Sequence, residues 1–158
     1  MHPTRSLRIG LISDTHGLLR PQALTAMQGC DAIVHAGDVG KPEILDALRA
    51  IAPLHAIRGN IDTAPWAQAL PDVLDVEIAG VRLHVLHDLK TLAREPTGVD
   101  VVVSGHSHKP LLRTRDGVLY INPGSAGPRR FKLPISVGEL TIIDDRASAT
   151  ILPLSINT

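Results

Sequence analysis

The sequence contains a single cysteine and very few aromatic residues. Cys30 is the only cysteine among the 158 residues, which excludes an intramolecular disulfide and a cysteine-rich zinc module. The aromatic residues are limited to Trp66, Tyr120 and Phe131, so the core must be aliphatic. Scarce aromatic side chains also argue against a platform on which single-stranded nucleic-acid bases would stack.

The chain also lacks an excess of charge and a long hydrophobic run. Lys and Arg number 16, as do Asp and Glu, so the formal net charge is zero. This balance does not suggest a basic surface for nucleic acid or for an anionic membrane. No segment approaches the roughly 20 apolar residues that span a bilayer, and residues 1–6 have no apolar stretch typical of a signal peptide. We therefore expect a cytoplasmic protein without membrane contact or stable nucleic-acid binding.

The first half of the chain alternates strand and helix patterns. Ile44, Leu48 and Ile51, widened by Leu45, form an apolar stripe at helical spacing. Such alternation predicts parallel βαβ units with right-handed crossovers. The predicted elements are strands at 7–13, 31–36 and 53–58 and helices at Pro21–Met27 and Pro42–Ile51.

The second half is dominated by predicted hairpins, which span residues 76–83, 111–122 and 136–154. The Asp116-Gly117 pair has the composition of a type I′ turn. Only one short helix is predicted, at Leu89–Arg94. Because these aliphatic strands are too numerous for one small sheet, the sequence predicts two sheets packed face to face with helices outside. We expect one α/β sandwich domain that spans residues 1–158.

A set of potential metal ligands lies within a few residues of the ends of apolar runs. Its members are Asp14, His16, Asp38, Asn60, His87, His106 and His108. In open α/β sheets, ligands bind outside the carboxyl ends of the strands. Several strand ends would therefore deliver these side chains to one rim, which predicts a metal centre. Imidazole, carboxylate and amide ligands without a thiolate suit Mn²⁺, Fe or Zn²⁺ and do not select among them.

Ordered sequence blocks around these residues resemble those of the calcineurin-like metallophosphoesterases. The blocks are GLISDTHG at 10–17, HAGD at 35–38, RGNID at 58–62, LH at 86–87 and GHSH at 105–108. The short chain and the INPGS block at 121–125 are similar to the small bacterial and archaeal phosphodiesterases of the YfcE type. The resemblance implies a four-layer α/β/β/α sandwich of two packed mixed sheets.

The resemblance also implies a dinuclear metal centre and hydrolysis of phosphodiester bonds by a metal-bridging hydroxide. Mn²⁺ is the expected metal, with Fe, Zn²⁺ or Ni²⁺ as alternatives, and the substrate would be a small phosphodiester or nucleotide-like molecule. A homo-oligomer is compatible with these features. The implied ligands are Asp14, His16, Asp38 and His108 for one metal and Asp38, Asn60, His87 and His106 for the other, with Asp38 bridging.

Two alternatives to the phosphodiesterase stay open. One is a phosphomonoesterase with the same metal centre. The other is a non-catalytic scaffold similar to the retromer subunit that shares this fold but has lost metal ligands. Because all the implied ligands are retained here, the sequence favours an enzyme.

Asp62, Asn60 and His87 are the catalytic candidates, and the proton donor is the open question. Many members of the family carry a histidine after the Gly-Asn pair, where this chain has Ile61, which cannot protonate a leaving group. Asp62 is the nearest carboxyl group. It could serve as the acid, but an N-cap for the turn at 63–66 or an indirect contact to the metal centre is favoured.

Some neighbouring residues have two interpretations each. Asp88 could orient His87, but it is predicted to cap the short helix that follows it. His35 could support the metal centre indirectly or simply pack in the core. Among the exposed basic residues, Arg129 and Arg130 are candidates for contact with a substrate phosphate.

Overall fold

The computed structural model describes residues 6–92 and 96–156. Two five-stranded sheets and two α-helices make up the described part of the chain. The elements are β1 Ser6–Ile12, α1 Pro21–Met27, β2 Ala32–His35, α2 Pro42–Arg49, β3 Leu54–Ala56, β4 Val73–Ile78, β5 Val81–Leu86, β6 Val101–Val103, β7 Leu111–Arg115, β8 Val118–Asn122, β9 Ser136–Ile143 and β10 Arg146–Pro153, with 3₁₀ helices at Pro65–Ala69 and Leu89–Thr91.

The first sheet has the order β10-β9-β1-β2-β3. Strands β1, β2 and β3 run parallel, as the strand–helix alternation predicts, and β9 joins the edge of β1 antiparallel. Both helices begin with proline, which suits the first turn because proline lacks the backbone N–H that another residue would leave unpaired there. Helix α2 buries Ile44, Leu45 and Leu48 and ends at Arg49, two residues before the predicted end.

The second sheet has the order β4-β5-β6-β8-β7. Strands β5, β6 and β8 are parallel, and antiparallel hairpins add β4 and β7 at the two edges. Asp116 and Gly117 both have positive φ, as a type I′ turn requires. The hairpin predicted at 76–83 is longer than expected, because β4 and β5 pair from Val73 to Leu86.

An aliphatic core lies between the two sheets. Ile9, Leu11 and Val34 of the first sheet pack with Leu83 and Val103 of the second, and all five are buried. A second apolar cluster lies under α1 and α2. The predicted α/β sandwich of two packed mixed sheets is therefore confirmed.

The layer outside the second sheet is smaller than expected. The helix predicted at Leu89–Arg94 is wrong in extent: a single 3₁₀ turn covers Leu89–Thr91, and Arg94 lies outside the described residues. Leu89 and Leu92 pack on a small cluster that includes Tyr120. Among the described residues, no helix is long and apolar enough to cross a membrane.

Candidate metal centre

The loops at the carboxyl ends of five strands bring all the predicted ligands together. In each of two groups the candidate ligand atoms lie within 4.8 Å of one another. The Oδ1 atom of Asn60 lies 3.2 Å from Nδ1 of His106 and so adjoins the second group. The first group consists of Asp14, His16 and His108, and the second group consists of Asp38, His87 and His106.

Asp38 lies between the two groups. Its Oδ2 atom is 3.1 Å from Nε2 of His87, in the second group, and 3.4 Å from Nε2 of His16, in the first. Nε2 of His16 is in turn 3.2 Å from Nε2 of His108 and 3.8 Å from Oδ1 of Asp14. One carboxylate oxygen therefore faces imidazoles of both groups, which is the position that a bridging ligand occupies.

The imidazole of His87 has an orientation that suits a cation. Its Nδ1 lies 2.7 Å from the carbonyl oxygen of Ala36. Because a carbonyl can only accept, Nδ1 carries the hydrogen and Nε2 presents a lone pair to the Asp38 carboxylate. Nε2 of His87 and Oδ1 of Asp14 are both buried without a hydrogen-bond partner in the part of the chain that the structure describes. Buried unpaired acceptors are costly, and a divalent cation between them removes that cost.

The Asp38 carboxylate and the His87 imidazole shift each other's pKa. Burial opposes protonation of His87, but the neighbouring Asp38 carboxylate and the contact with the Ala36 carbonyl outweigh burial and raise the pKa of His87. Burial also acts to raise the pKa of Asp38, but the neighbouring His87 and the hydrogen bond from the Ile61 N–H lower it by more, so the net shift is downward. Protons and metal ions therefore compete for this pair.

Positive φ recurs at the predicted ligands, which provide five of the ten described non-glycine residues that adopt it. Non-glycine residues rarely adopt positive φ, and Asn, Asp and His tolerate it better than most. Such conformations cost on the order of 1–3 kcal/mol each and persist where the surrounding structure enforces them, commonly at functional sites. The predicted ligands with positive φ are Asp14 (55°), His16 (47°), Asp38 (55°), His106 (72°) and His108 (62°).

The Asp14 carboxylate joins the two sheets. Its Oδ2 accepts hydrogen bonds from the hydroxyl of Ser13 at 2.9 Å and from the backbone N–H of His106 at 3.1 Å. Asp14 follows β1 of the first sheet, whereas His106 follows β6 of the second. These bonds fix the carboxylate so that Oδ1 faces the imidazoles of His16 and His108.

Asp62 is a buried carboxylate that holds two loops together. It accepts backbone N–H bonds from Val39 at 3.0 Å, Gly40 at 2.9 Å and Gly59 at 2.8 Å. The prediction that Asp62 caps the turn at 63–66 is wrong: the N-cap of the 3₁₀ helix there is Ala64, without a side-chain bond. The carboxylate turns inward instead, because these three amides have no strand partner at the ends of β2 and β3.

Gly59 allows the second of these loops to approach Asp38. A Cβ atom at Gly59 would overlap the Asp38 carboxylate and its backbone nitrogen. The N–H of Ile61 donates to Oδ1 of Asp38 at 3.1 Å, while the Ile61 side chain is 44% exposed. The loop after β3 thus supports Asp38 through its backbone and turns the Ile61 side chain to solvent.

His35 and Thr15 form a second buried link between ligand-bearing loops. Burial lowers the pKa of His35 to about 4, so the imidazole is neutral. Its Nδ1 accepts from the N–H of Gly37 at 3.1 Å, which leaves the hydrogen on Nε2 to donate to Oγ1 of Thr15 at 3.0 Å. The Thr15 hydroxyl donates to the carbonyl of Val39 at 2.8 Å. Of the two interpretations of His35, the structure therefore supports indirect contact with the centre.

The structure also decides between the two interpretations of Asp88. Asp88 accepts from the N–H of Lys90 at 3.1 Å, so the predicted cap is confirmed, and its Oδ2 lies 3.8 Å from Nε2 of His106.

Burial and the charge of Arg130 lower the pKa of His108 despite the opposing effect of Asp14. Thr15 is not among the predicted site residues, although its place between two ligands is a signal that could have found it.

Comparison with known proteins agrees with this geometry. The calcineurin-like phosphoesterase superfamily domain matches residues 7–145, and the chain therefore belongs to that superfamily. A probable metallophosphoesterase of Methanocaldococcus jannaschii is 34% identical over 94% of this chain and 82% of that relative. The phosphodiesterase YfcE of Escherichia coli is 29% identical, over 85% of this chain and 87% of that enzyme.

The same fold occurs in a protein whose name does not describe an enzyme. Vacuolar Protein Sorting 29 of Cryptosporidium parvum superposes with a TM-score of 0.75 over 96% of this chain and 99% of that protein. The two sequences are only 18% identical, so the similarity concerns the fold alone. Function has to be argued from the site.

Proposed function

We propose that the protein is a dinuclear metal-dependent phosphodiesterase that acts on small phosphodiester or nucleotide-like substrates. The observation that carries the proposal is the position of Asp38, whose Oδ2 faces imidazole nitrogens of both groups. The names of the metallophosphoesterase and phosphodiesterase relatives support the same assignment. A single domain over residues 1–158, a cytoplasmic location and manganese as the native metal are parts of the same proposal.

The proposed ligands follow the two groups. Asp14, His16 and His108 would hold one metal, and His87, His106 and Asn60 the other, with Asp38 shared. Neutral imidazoles are needed for this role. The bond from His87 Nδ1 to Ala36 supports it, because it keeps the lone pair on Nε2, toward the centre.

Divalent ions held by these residues would supply Lewis-acid chemistry toward the phosphate group and would make hydroxide available near neutral pH. The chain itself contributes two carboxylates, Asp14 and Asp38, against four positive charges. The centre therefore stays attractive to an anionic ester even with hydroxide present. Buried Asp14 and His108 hold one side of the centre, whereas half-exposed His106 and exposed Asn60 leave the other side open to substrate.

Protonation of the leaving group is the step for which the described residues, 6–92 and 96–156, offer no evident donor. The Ile61 side chain cannot supply a proton, and the Asp62 carboxylate is buried and accepts three backbone N–H bonds. These contacts suit a positioning role for Asp62 better than proton transfer. We therefore propose that water protonates the leaving oxygen, and that esters with good leaving groups react fastest.

A non-catalytic scaffold is the competing proposal, and the shared fold of a protein-sorting protein is the reason to keep it. Scaffolding places no demand on seven metal-ligand side chains or on strained backbone at five of them. The concentration of both features at one rim favours the enzyme. A phosphomonoesterase would use the same metal centre, so only its preference for monoesters distinguishes it from the proposed phosphodiesterase.

Hydrolysis of a chromogenic diester beside its matching monoester tests the proposal. Bis(p-nitrophenyl) phosphate and p-nitrophenyl phosphate would be compared with Mn²⁺, with other divalent ions and with a chelator. We expect metal-dependent hydrolysis with higher kcat/KM for the diester. Preference for the monoester would indicate a phosphomonoesterase, and absence of metal-dependent hydrolysis of both would support the scaffold.

A further inference from the structure

A cavity of about 520 Å³ lies beside the second group of the metal centre. His106 belongs to its wall, so one residue is shared by the cavity and the centre. The buried Asn122 side chain supports this wall, because its Nδ2 donates to the carbonyl of Gly105 at 3.0 Å and to Oγ of Ser107 at 3.1 Å. The cavity is therefore a formed surface next to the more open side of the centre.

The cavity has an excess of positive charge. Lys90, Lys109 and Arg130 line it, and Asp88 is the one carboxylate among its lining residues. Asp88 is already engaged by the N–H of Lys90 and lies 3.8 Å from His106. Within residues 6–92 and 96–156, none of the three cations has an ion-pair partner. A concave surface with several uncompensated cations attracts anions.

The cavity also has apolar walls. Leu89 and Leu111 line it, and both are half-buried. A ligand that matches these walls has an apolar or ring-containing body and an anionic group. A larger cavity elsewhere, lined by Asp100, Leu112 and Asp145 among others, contains none of the predicted ligands. The cavity at His106 is therefore well placed to receive part of a substrate.

We propose that this cavity binds one ester substituent of the diester and that Arg130, with Lys90 and Lys109, favours a substituent carrying a negative charge of its own, such as a terminal phosphate. The inference rests on the proposed function, because the metals would hold the central phosphate beside His106. It goes further in naming the substrate class: diesters with an additional anionic group. Arg130 is the specificity residue that is tested most directly, since its neighbour Arg129 is also exposed but does not line the cavity.

The first test compares two dinucleotides that differ only in a 5′-phosphate, thymidylyl-thymidine with and without it. We expect the wild-type protein to have a lower KM for the phosphorylated form. Arg130→Gln should raise that KM about threefold to tenfold, as expected for one exposed charge-assisted contact, with little change in kcat. Arg129→Gln is the matched control and should retain the wild-type preference.

The second test does not need turnover. Leucine methyl resonances of the Zn²⁺-loaded protein would be followed by NMR during titration with the phosphorylated dinucleotide. The methyls of Leu89 and Leu111 should shift. Leu112 should not, because adjacent residues of a strand point to opposite faces and Leu112 lines the other cavity. Arg130→Gln should weaken the titration, and Arg129→Gln should leave it unchanged.

The results separate this inference from the proposed function. Equal effects of the two arginine variants, or a wild-type protein without preference and without Leu89 and Leu111 shifts, would overturn the cavity assignment. Metal-dependent cleavage of a chromogenic diester would then leave the phosphodiesterase proposal standing. If no diester is cleaved, the proposed function fails, and the methyl titration alone decides whether the cavity binds the anionic dinucleotide.

Discussion

The two halves of the metal centre differ in how deeply they are enclosed. In the first group, Asp14 and His108 are 0% and 1% exposed, and Asp14 is fixed by bonds from both sheets. The third member of the first group, His16, has a side chain that is 21% exposed. In the second group Asp38 and His87 are also buried, but the His106 side chain is 43% exposed and the neighbouring Asn60 lies at the surface. For the proposed metal centre we therefore expect a division of roles, in which the first group, the enclosed half, anchors the metals and the exposed side of the second group, the open half, receives the substrate.

Asp38 is where the two halves meet, and its removal should have the largest effect. We expect Asp38→Ala to lose both metals and to lower kcat/KM by at least about 10³-fold, since several kcal/mol of charge stabilisation would disappear. Elemental analysis of the purified variant measures the metal content. Unchanged metal in this variant would remove the shared role of Asp38.

Metal binding at the second group can be weakened separately. His87→Ala or Asn60→Ala should reduce the metal content toward one ion per chain and lower activity by about 10²-fold or more. The first group should remain partly occupied. Most of each variant should still fold, and the loss of activity should exceed any loss of folded protein, because both side chains lie at the candidate centre and outside the apolar core clusters.

Chemical denaturation of the same two variants provides the control. If they unfold readily while the folded fraction keeps normal specific activity, these side chains are structural. The distinction between an anchoring half and a substrate-facing half would then fail.

The buried support under the centre should be sensitive to acid. The folded pKa of His35 is about 4, below the ordinary value of 6.5, so its contribution to stability is complete above pH 6.5 and is lost as the pH falls toward 4. Between pH 7 and pH 5 this loss is about 2 kcal/mol. His35→Gln, which keeps a donor for Thr15, should show a correspondingly flatter dependence.

Denaturant unfolding of the metal-free proteins across this pH range measures the difference. Removal of metal keeps competition between protons and ions at His87 out of the comparison. The other titrating groups are common to both proteins. Identical slopes for wild type and His35→Gln would show that His35 does not make this contribution.

A proton donor for the leaving group can be supplied on the open side of the centre. Ile61→His should raise turnover of alkyl diesters by about tenfold or more if the imidazole reaches the leaving oxygen, since general acids contribute about 10²–10⁴-fold. Nitrophenyl diesters should gain little, because their leaving groups need no acid. Ile61→Val is a suitable control. A similar gain on both substrates would mean that Ile61→His acts in another way.

Asp62→Asn tests the alternative donor at the adjacent residue. We expect equal, small losses on alkyl and nitrophenyl diesters, because the carboxylate positions backbone amides of two loops. Stability should fall by about 1–3 kcal/mol, since an amide cannot accept all three bonds as well. A steep loss confined to alkyl diesters would instead make Asp62 the acid.

Removal of the Thr15 hydroxyl group should weaken metal binding at the enclosed half of the centre. Thr15→Val removes the bonds to His35 and to the Val39 carbonyl, and we expect about tenfold weaker metal binding, as for other residues that orient ligands. Thr15→Ser retains the hydroxyl and should restore affinity. Calorimetric titration with Zn²⁺ measures both variants, and equal affinity in Thr15→Val and wild type would contradict the positioning role.

Much of the fold, and the clustering of the candidate ligands, could be predicted from the sequence for a physical reason. A polar residue such as Asp14 or Asp38 at the end of an apolar run marks both the end of a strand and the rim of a sheet. The type I′ hairpin at Asp116-Gly117 has an equally local cause. Such features depend on a few adjacent residues.

The supporting contacts were less accessible because they join distant loops. The inward orientation of Asp62 depends on amides of Val39 and Gly40, more than twenty residues away in sequence. The Thr15–His35 bond likewise connects different loops. Patterns of adjacent residues therefore predict a cap at Asp62 that does not form, and they do not distinguish Arg130 from Arg129.

Anomalous diffraction from crystals of the Mn²⁺-loaded protein would show whether Asp38 lies between two bound metal ions. We predict two peaks about 3.5–4 Å apart, the separation typical of two-metal sites. One should lie among Asp14, His16 and His108, the other against His87, His106 and Asn60, with the Asp38 carboxylate contacting both. A single peak, or two peaks that do not share Asp38, would contradict the dinuclear centre.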